Sequence, residues 1–140
     1  MLPLFAYGTL RDPEYQLELF ARTFAMELAE VSGFVVLSTG GGYLAATPRP
    51  GTTIRGALVA LDAAAYAVAD AWEDLAVYDR ITVDARRTLD RVVQRCFMYV
   101  VPEARGTPVV DERPADRSRA EVVADIRRFV AASVDITVRR

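Results

Sequence analysis

The sequence contains no histidine, no lysine and no asparagine, and it has a single cysteine. Without histidine, the commonest general base is missing, as are Ser-His and Cys-His nucleophile pairs and most zinc and haem sites. Without lysine, Schiff-base chemistry and a P-loop phosphate site are excluded. Cys96 has no partner for an intrachain disulfide, so nothing assigns the chain to an oxidising compartment.

The length and composition are those of one globular domain. The 140 residues, of which 52% are apolar and 26% are charged, fit a domain of about 100–200 residues with a sizeable core. The apolar run at the N-terminus is too short for a signal peptide, and no stretch approaches the roughly 20 apolar residues of a membrane span. We therefore predict one domain over residues 1–140 that is soluble and cytoplasmic and has no membrane partner.

The basic residues are all arginines, and they are interleaved with acids to give a net charge of −2. The densest basic group consists of Arg86, Arg87, Arg91 and Arg95. Because Asp84 and Asp90 lie beside it, a solvated hairpin edge explains this group better than a nucleic-acid surface, which favours a basic domain. We therefore predict no nucleic-acid partner.

Periodicity and capping residues predict an α+β fold. Apolar runs predict strands over residues 2–7, 26–38, 54–61, 78–87 and 91–101. Capping residues predict helices over residues 13–22 and 62–76 and from residue 118 onward. Glycine and proline predict loops over residues 40–42 and 48–53 and a turn-rich segment over 103–114. Because strands and helices do not alternate regularly, the pattern favours antiparallel strands over a doubly wound sheet.

Two glycines fall inside the predicted strands. Gly33 indicates a bend or an interruption of its strand. Gly56 indicates a bulge or a close approach of another backbone segment.

The segment after the first predicted strand, called here the 7–10 loop, could bind an anion. Its residues are Tyr7, Gly8, Thr9 and Leu10. A glycine turn before a proline-started helix can direct backbone N–H groups at a carboxylate or a developing oxyanion. It also favours a positive φ or a close ligand approach at Gly8. An ordinary turn fits the same residues.

Glu73, near the end of the second predicted helix, is a candidate general base. Helical spacing places it on a stripe of small apolar and aromatic residues with Trp72 beside it, so desolvation would raise its pKa. The charges of Asp70 and Asp74 would act in the same direction. A carboxylate with a raised pKa can serve as a base where histidine is missing. A solvated acid paired with Arg80 is the alternative.

Four further side chains are candidates for a substrate pocket, namely Tyr43, Tyr78, Arg80 and Tyr99. Arg80 could clamp a carboxylate through two hydrogen bonds, or it could form a structural ion pair with Asp70 or Glu73. Tyr43 and Tyr99 could line a pocket with their hydroxyl groups, or they could be ordinary core tyrosines.

The sequence predicts neither a metal site nor a bound cofactor. The acid pairs Glu73-Asp74 and Asp111-Glu112 are sequence neighbours, so their side chains diverge on any regular element. The three glycines at residues 40–42 lack the spacing of a dinucleotide-binding loop.

Together and in this order, these features resemble the gamma-glutamylcyclotransferase-like family, and most of all its gamma-glutamylamine cyclotransferase branch. The resemblance covers about residues 4–101. It is carried by Phe5-Ala6-Tyr7-Gly8-Thr9-Leu10-Arg11, Gly33, Tyr43 after the glycines, Ile54-Arg55-Gly56, Asp70-x-x-Glu73 and Tyr78-x-Arg80.

The resemblance implies a small, mixed, mostly antiparallel β-barrel with two or three helices packed outside. It implies that the 7–10 loop holds a gamma-glutamyl group through backbone N–H groups and that Glu73 is the catalytic glutamate. The implied reaction is attack of the substrate's own α-amine on its γ-carbonyl, which releases 5-oxoproline and an amine. This chemistry needs no cofactor, and its only implied partner is a small-molecule gamma-glutamyl substrate.

The chain departs from the family pattern at three positions. Leu44 stands where proline is usual, Asp74 stands where glycine follows the catalytic glutamate, and Ala57 stands where an acid follows the strand glycine. Two functions therefore stay open. One is gamma-glutamyl cyclisation with Glu73 cycling protons, and the other is a non-catalytic barrel that binds an amino-acid-like or peptide ligand.

Overall fold

The computed structural model describes the backbone of residues 1–138 and the side chains of residues 1–133. The last two residues of the predicted domain, 139 and 140, lie outside the described part. The strands are β1 (Leu4–Ala6), β2 (Met26–Ser38), β3 (Leu44–Val59), β4 (Asp79–Arg87), β5 (Val93–Val100) and β6 (Thr107–Pro108). The helices are α1 (Pro13–Phe20), α2 (Ala63–Glu73) and α3 (Arg119–Val138), with a 3₁₀ turn over Thr9–Arg11. No helix in this part of the chain is long and apolar enough to cross a membrane.

Within the described residues, five strands close into a mixed β-barrel. They pair in the order β3-β1-β5-β4-β2, and the long pairing of β2 with β3 closes the ring. The β1–β5 pair is parallel, and the other pairs are antiparallel. The short strand β6 adds to β2 inside the segment predicted to be rich in turns. The predicted fold class is confirmed, since helices pack around a small and mostly antiparallel barrel.

Capping side chains fix where the first two helices begin. The Asp12 carboxylate accepts the backbone N–H of Glu14 at 3.0 Å, and Pro13 occupies the first turn of α1. The Asp62 carboxylate accepts the N–H of Ala65 at 2.8 Å at the start of α2. Both starts agree with the sequence prediction because N-capping is a local interaction.

Both helices end earlier than predicted. Helix α1 ends at Phe20 instead of residue 22, and the next residue, Ala21, has a φ of 59°. Helix α2 ends at Glu73 instead of residue 76, and Asp74 has a φ of 63°. A left-handed residue commonly ends a helix, but it is usually glycine. Alanine and aspartate at these positions therefore gave no sequence signal for the end of the helix.

The predicted loop over residues 48–53 is wrong, because β3 runs through it. Pairing with β2 is lost only over residues 49–52, which bulge opposite Gly33. Gly33 has a φ of +89°, which glycine adopts without strain. The Thr52 hydroxyl donates to the Phe34 carbonyl at 2.8 Å across the bulge. The two strands therefore stay paired on both sides of the irregularity.

Side-chain alternation along β1 places it between two cores. Leu4 and Ala6 pack in a cluster that includes residues of all three helices. Phe5 and Tyr7 pack in a second cluster that is built mainly from residues of the barrel strands. The first cluster joins the helices to the outside of the barrel, and the second fills its interior. The end of β1 therefore delivers the 7–10 loop to the junction of the two cores.

Gly56 allows β3 to lie unusually close to β1. A Cβ atom at this position would be 2.4 Å from the Ala6 carbonyl oxygen and 2.8 Å from Cζ of Phe5. Both distances are too short for a real Cβ contact, so only glycine fits. The close backbone approach that the sequence indicated is confirmed, and it fixes the strand that leads into the 7–10 loop.

Candidate active site

A cavity of about 430 Å³ lies where the end of β1, the end of α2 and the start of β3 meet. This volume is within the usual range for small-molecule sites. Eight of the side chains or backbone segments singled out from the sequence line it, namely Tyr7, Gly8, Thr9, Leu10, Tyr43, Glu73, Tyr78 and Tyr99. The topology therefore brings together positions that are up to 92 residues apart in the chain.

Glu73 is the last residue of α2, and its side chain is partly buried in the cavity wall. In the described part of the chain, its carboxylate has no hydrogen bond and no ion pair. Burial raises the pKa of Glu73 to about 8. This is the direction that the sequence indicated, although burial is the cause and not the charges of Asp70 and Asp74. A carboxyl group with this pKa and no partner can both accept and return a proton.

Three tyrosine hydroxyls near Glu73 are committed to protein acceptors. Tyr7 donates to the Tyr99 carbonyl at 2.7 Å and accepts a backbone N–H of β3 at 3.0 Å. Tyr78 donates to a β3 carbonyl at 2.9 Å, and Tyr99 donates to the Asp70 carboxylate at 2.6 Å. Burial and the nearby charge of Glu73 raise the pKa of Tyr78 to about 12. These phenols shape the cavity as neutral groups, and Glu73 is the side chain placed to exchange protons.

The 7–10 loop supplies backbone donors to the cavity wall. Among the described residues, no acceptor is found for the amide N–H groups of Gly8, Thr9 and Leu10. The Thr9 hydroxyl accepts the Trp72 indole N–H at 3.3 Å, which ties the loop to the end of α2. Of the two alternatives predicted for Gly8, the positive φ is wrong, because its φ is −121° and the 3₁₀ turn after it makes the bend; the close ligand approach stays a prediction.

Arg80 does not line the cavity. Its Nε atom lies 3.6 Å from a carboxylate oxygen of Asp70, and its guanidinium lies over the rings of Tyr66 and Phe97 at 4.8 and 4.7 Å from their centroids. The carboxylate clamp is therefore corrected to the alternative that the sequence left open, a structural ion pair. Because Asp70 also accepts the hydroxyl of Tyr99, Arg80 supports the cavity wall from behind.

Sequence reasoning missed Asp125, which α3 contributes to the cavity wall. Its carboxylate accepts the Tyr43 hydroxyl at 2.5 Å, and it pairs with Arg117 at 3.0 Å and with Arg128. Tyr43 in turn meets Trp72 edge to face, with ring centroids 5.7 Å apart. No motif marks this contact because Tyr43 and Asp125 are 82 residues apart. Two arginines neutralise Asp125, so it holds the wall and does not serve as a free acid.

The chemistry available in the cavity follows from these partners. The described residues contain no group of three or more cysteine, aspartate or glutamate side chains that could hold a metal ion. The cavity instead combines a partly buried carboxyl group, Glu73, with unpaired backbone N–H donors of the 7–10 loop. Such a set can move a proton at one side of a reacting carbonyl and stabilise negative charge on its oxygen.

The pKa of Glu73 predicts how stability depends on pH. An unfolded chain titrates this group near 4.5, whereas the folded protein titrates it near 8. Between these values the folded state binds the extra proton, so the free energy of unfolding should fall as pH rises through this window. Glu73→Gln removes this titration. The free energy of unfolding of Glu73→Gln, compared with that of the parent, should therefore rise from pH 5 to pH 8. Urea unfolding measures this rise, which should be on the order of a few kcal/mol. A constant difference across this range would show that Glu73 titrates normally.

Comparisons with known proteins agree with this fold. The family described as gamma-glutamyl cyclotransferase, AIG2-like, matches residues 4–119. No curated protein matches significantly. Two Arabidopsis thaliana solution structures both have a TM-score of 0.65. At5g39720.1 is 24% identical, and the match covers 71% of this chain and 68% of that chain. At3g28950.1 is 18% identical, and the match covers 97% of this chain and 81% of that chain. A solved gamma-glutamyl cyclotransferase is 14% identical, with a TM-score of 0.63 over 91% of this chain and 79% of that chain. At these identities the solved structures show a shared fold.

Proposed function

The chain belongs to the gamma-glutamyl cyclotransferase, AIG2-like family, and we propose that it is an enzyme that releases 5-oxoproline from a small gamma-glutamyl substrate. The leaving group is an amine or an amino acid. Glu73 acts as the proton shuttle, and the 7–10 loop binds the reacting carbonyl. The substrate supplies its own nucleophile, so the reaction proceeds without histidine, lysine or a nucleophilic side chain of the protein.

The proposed reaction begins when the Glu73 carboxylate takes a proton from the α-ammonium of the bound substrate. The amine then attacks the γ-carbonyl carbon, and the new C–N bond closes a five-membered ring. Backbone N–H groups of the 7–10 loop hold the resulting oxyanion. The bond from this carbon to the leaving nitrogen then breaks while Glu73 returns the proton to that nitrogen. As this bond breaks, the ring nitrogen passes its second proton to the departing amine, so the products are 5-oxoproline and the ammonium form of that amine, and the Glu73 carboxylate is regenerated.

Positioning supplies much of the rate in this proposal. A well-oriented intramolecular attack is equivalent to an effective concentration of about 10⁵–10⁸ M. The protein must therefore fold the substrate, move one proton and stabilise one oxyanion. The raised pKa of Glu73 suits this task, because a bound ammonium group would favour its ionised form and the leaving amine would then receive a proton from a moderately weak acid.

One observation supports this proposal more than any other. Glu73 has no hydrogen bond or ion pair among the described residues, and it lines the same cavity as the unpaired amides of the 7–10 loop. The alternative, a barrel that only binds a ligand, predicts an outward-pointing Glu73 held in a salt bridge. The pairing of Arg80 with Asp70 leaves Glu73 available for the substrate.

Incubation with a panel of gamma-glutamyl dipeptides and gamma-glutamyl amines, followed by measurement of 5-oxoproline, tests the function. We expect catalytic release of 5-oxoproline from at least one member. The matched control is the α-linked isomer of each dipeptide, because its amine cannot close a five-membered ring on the peptide carbonyl. Saturable binding of panel members without product would instead support the non-catalytic barrel.

The amide contact can be tested at Gly8. A Cβ atom there would lie 3.4 Å from the Pro114 carbonyl oxygen, so the fold should tolerate alanine. The added methyl group would occupy cavity space beside the N–H donors. We expect Gly8→Ala to lower turnover by about 10- to 100-fold, somewhat less than the roughly 10²–10³-fold typical of a lost oxyanion donor.

Thr9→Val is the control for this variant, because it keeps the backbone N–H and removes only the hydroxyl group. It should lose the contact with Trp72 and retain more activity than Gly8→Ala. If Gly8→Ala turns over like the parent while Thr9→Val does not, the loop acts through the Thr9 hydroxyl group. The proposal that backbone N–H groups bind the carbonyl would then be wrong.

A further inference from the structure

A second cavity of about 810 Å³ lies between the β2–β3 bulge and residues 108–113. Tyr7 and Leu44 line both cavities, so the two adjoin at these side chains. Glu73 does not line the second cavity, and neither do Gly8, Thr9 and Leu10. The proposed cyclisation therefore leaves this cavity without a role.

The walls of the second cavity carry an excess of positive charge. The charged residues that line it are Arg11, Arg49, Arg55, Arg113, Asp111 and Glu112. Arg113 is neutralised, because it pairs with Asp111 at 3.0 Å and with Asp116 at 2.7 Å. In the described part of the chain, the other three arginines have no carboxylate at ion-pairing distance. Three of the arginines that line this cavity thus have no carboxylate partner, in a chain whose net charge is −2.

The positive charge of Arg11 is energetically unfavourable in its position. Its side chain is half-buried, and its guanidinium donates to the backbone carbonyl of Glu112. Burial lowers the pKa of Arg11, and the charges of Glu112 and Asp12 do not compensate for it. A partly buried cation without a paired anion is destabilising unless another group supplies the negative charge.

The other residues that line the cavity indicate which kind of ligand would supply this negative charge. Phe34, Val36 and Ile54 form an apolar part of the wall. Arg49 and Arg55 are exposed, so a ligand that reaches them can enter from solvent. The volume is within the range for small-molecule sites. An acidic chain is a poor match for a nucleic acid, which favours a basic surface.

We propose that the second cavity is a binding site for a small organic dianion, in which carboxylate or phosphate oxygens pair with Arg11, Arg49 and Arg55. Guanidinium groups bind both kinds of oxygen through paired hydrogen bonds. The apolar part of the ligand packs against Phe34 and Ile54. This site adjoins the proposed active site at Tyr7 and Leu44, and its occupancy can be measured whether or not the chain turns over a substrate.

Calorimetric titration of the full chain at low ionic strength tests the site, since salt screens charge pairs. The probes are phenyl phosphate, phthalate, inorganic phosphate and the neutral benzyl alcohol. We expect phenyl phosphate or phthalate to bind at one saturable site, more tightly than inorganic phosphate or benzyl alcohol. The double variant Arg49→Gln/Arg55→Gln should weaken this binding at least about tenfold, because both residues donate charged hydrogen bonds. Arg11→Gln should weaken it by a similar factor.

Arg95→Gln is the matched control, because Arg95 is an exposed arginine on β5 that pairs with Asp84 at 3.4 Å and does not line the cavity. It should bind the probes like the parent. The proposal is overturned if neither dianion binds saturably, if the double variant binds as tightly as the parent, or if Arg95→Gln loses as much affinity. Tight binding of a single-stranded oligonucleotide without binding of either dianion would also overturn it.

Discussion

Glu73→Gln is expected to abolish most turnover while leaving the fold and the binding of 5-oxoproline in place. Glutamine has nearly the same shape as protonated glutamate, but it cannot take a proton from the substrate ammonium or return one to the leaving nitrogen. Loss of general acid–base catalysis typically costs about 10²–10⁴-fold in rate. The neighbouring tyrosines cannot replace the group, because their hydroxyls already donate to protein acceptors.

The experiment compares steady-state 5-oxoproline release by the parent and by Glu73→Gln. Trp72 lines the cavity and is the one tryptophan of the sequence, so its fluorescence reports ligand binding in both proteins. Asp74→Asn is the matched control. It changes the adjacent exposed acid, tolerates the left-handed φ, and keeps the side-chain oxygen that accepts the Ala76 N–H at 3.0 Å. Near-normal turnover by Glu73→Gln, or an equal loss in Asp74→Asn, would remove Glu73 from the mechanism.

Gly56→Ala is expected to destabilise the fold strongly. The new Cβ would lie 2.4 Å from the carbonyl oxygen of Ala6, so β1 and β3 must separate. A backbone atom cannot move aside as a flexible side chain can. Overpacking of this kind costs about 1–3 kcal/mol and occasionally more, and we expect the upper end or beyond. Thermal and urea unfolding of the purified variant measure the loss.

Gly41→Ala is the control for this prediction. A Cβ atom at Gly41 would lie 3.7 Å from the Thr39 hydroxyl, an ordinary contact, and Gly41 does not have a positive φ. Its stability should therefore stay within about 0.5 kcal/mol of the parent. If Gly56→Ala unfolds at the same denaturant concentration as Gly41→Ala, the close approach of the two strands is not a constraint on the fold.

The parts of the fold that local interactions determine could be predicted from the sequence. Asp12 and Asp62 predict the starts of two helices because the side chain of each caps the helix that follows it. The error over residues 48–53 has the opposite origin. Proline and glycine there suggest a loop, but pairing with a distant strand carries β3 through the segment with only a bulge. Pairing partners are not encoded by neighbouring residues, so the strand could not be predicted locally.

In the candidate site too, residues in short motifs could be predicted from the sequence, and residues placed by distant contacts could not. The 7–10 loop and Glu73 stand in short recognisable motifs, and both line the cavity. Asp125 was missed because its partner Tyr43 is 82 residues away and α3 carries no motif. For Arg80 the sequence left a clamp and an ion pair equally open, and only the tertiary position of Asp70 decides between them.

The central claim is that the substrate's own α-amine is the nucleophile, and one labelling experiment tests it directly. An active gamma-glutamyl substrate carrying nitrogen-15 in its α-amine is turned over in water enriched in oxygen-18, and the products are analysed by mass spectrometry. We expect 5-oxoproline that retains the nitrogen label in its ring and contains no oxygen from solvent, together with an equal amount of the free amine. Glutamate carrying oxygen-18 would show that water attacks the γ-carbonyl, and it would contradict the account.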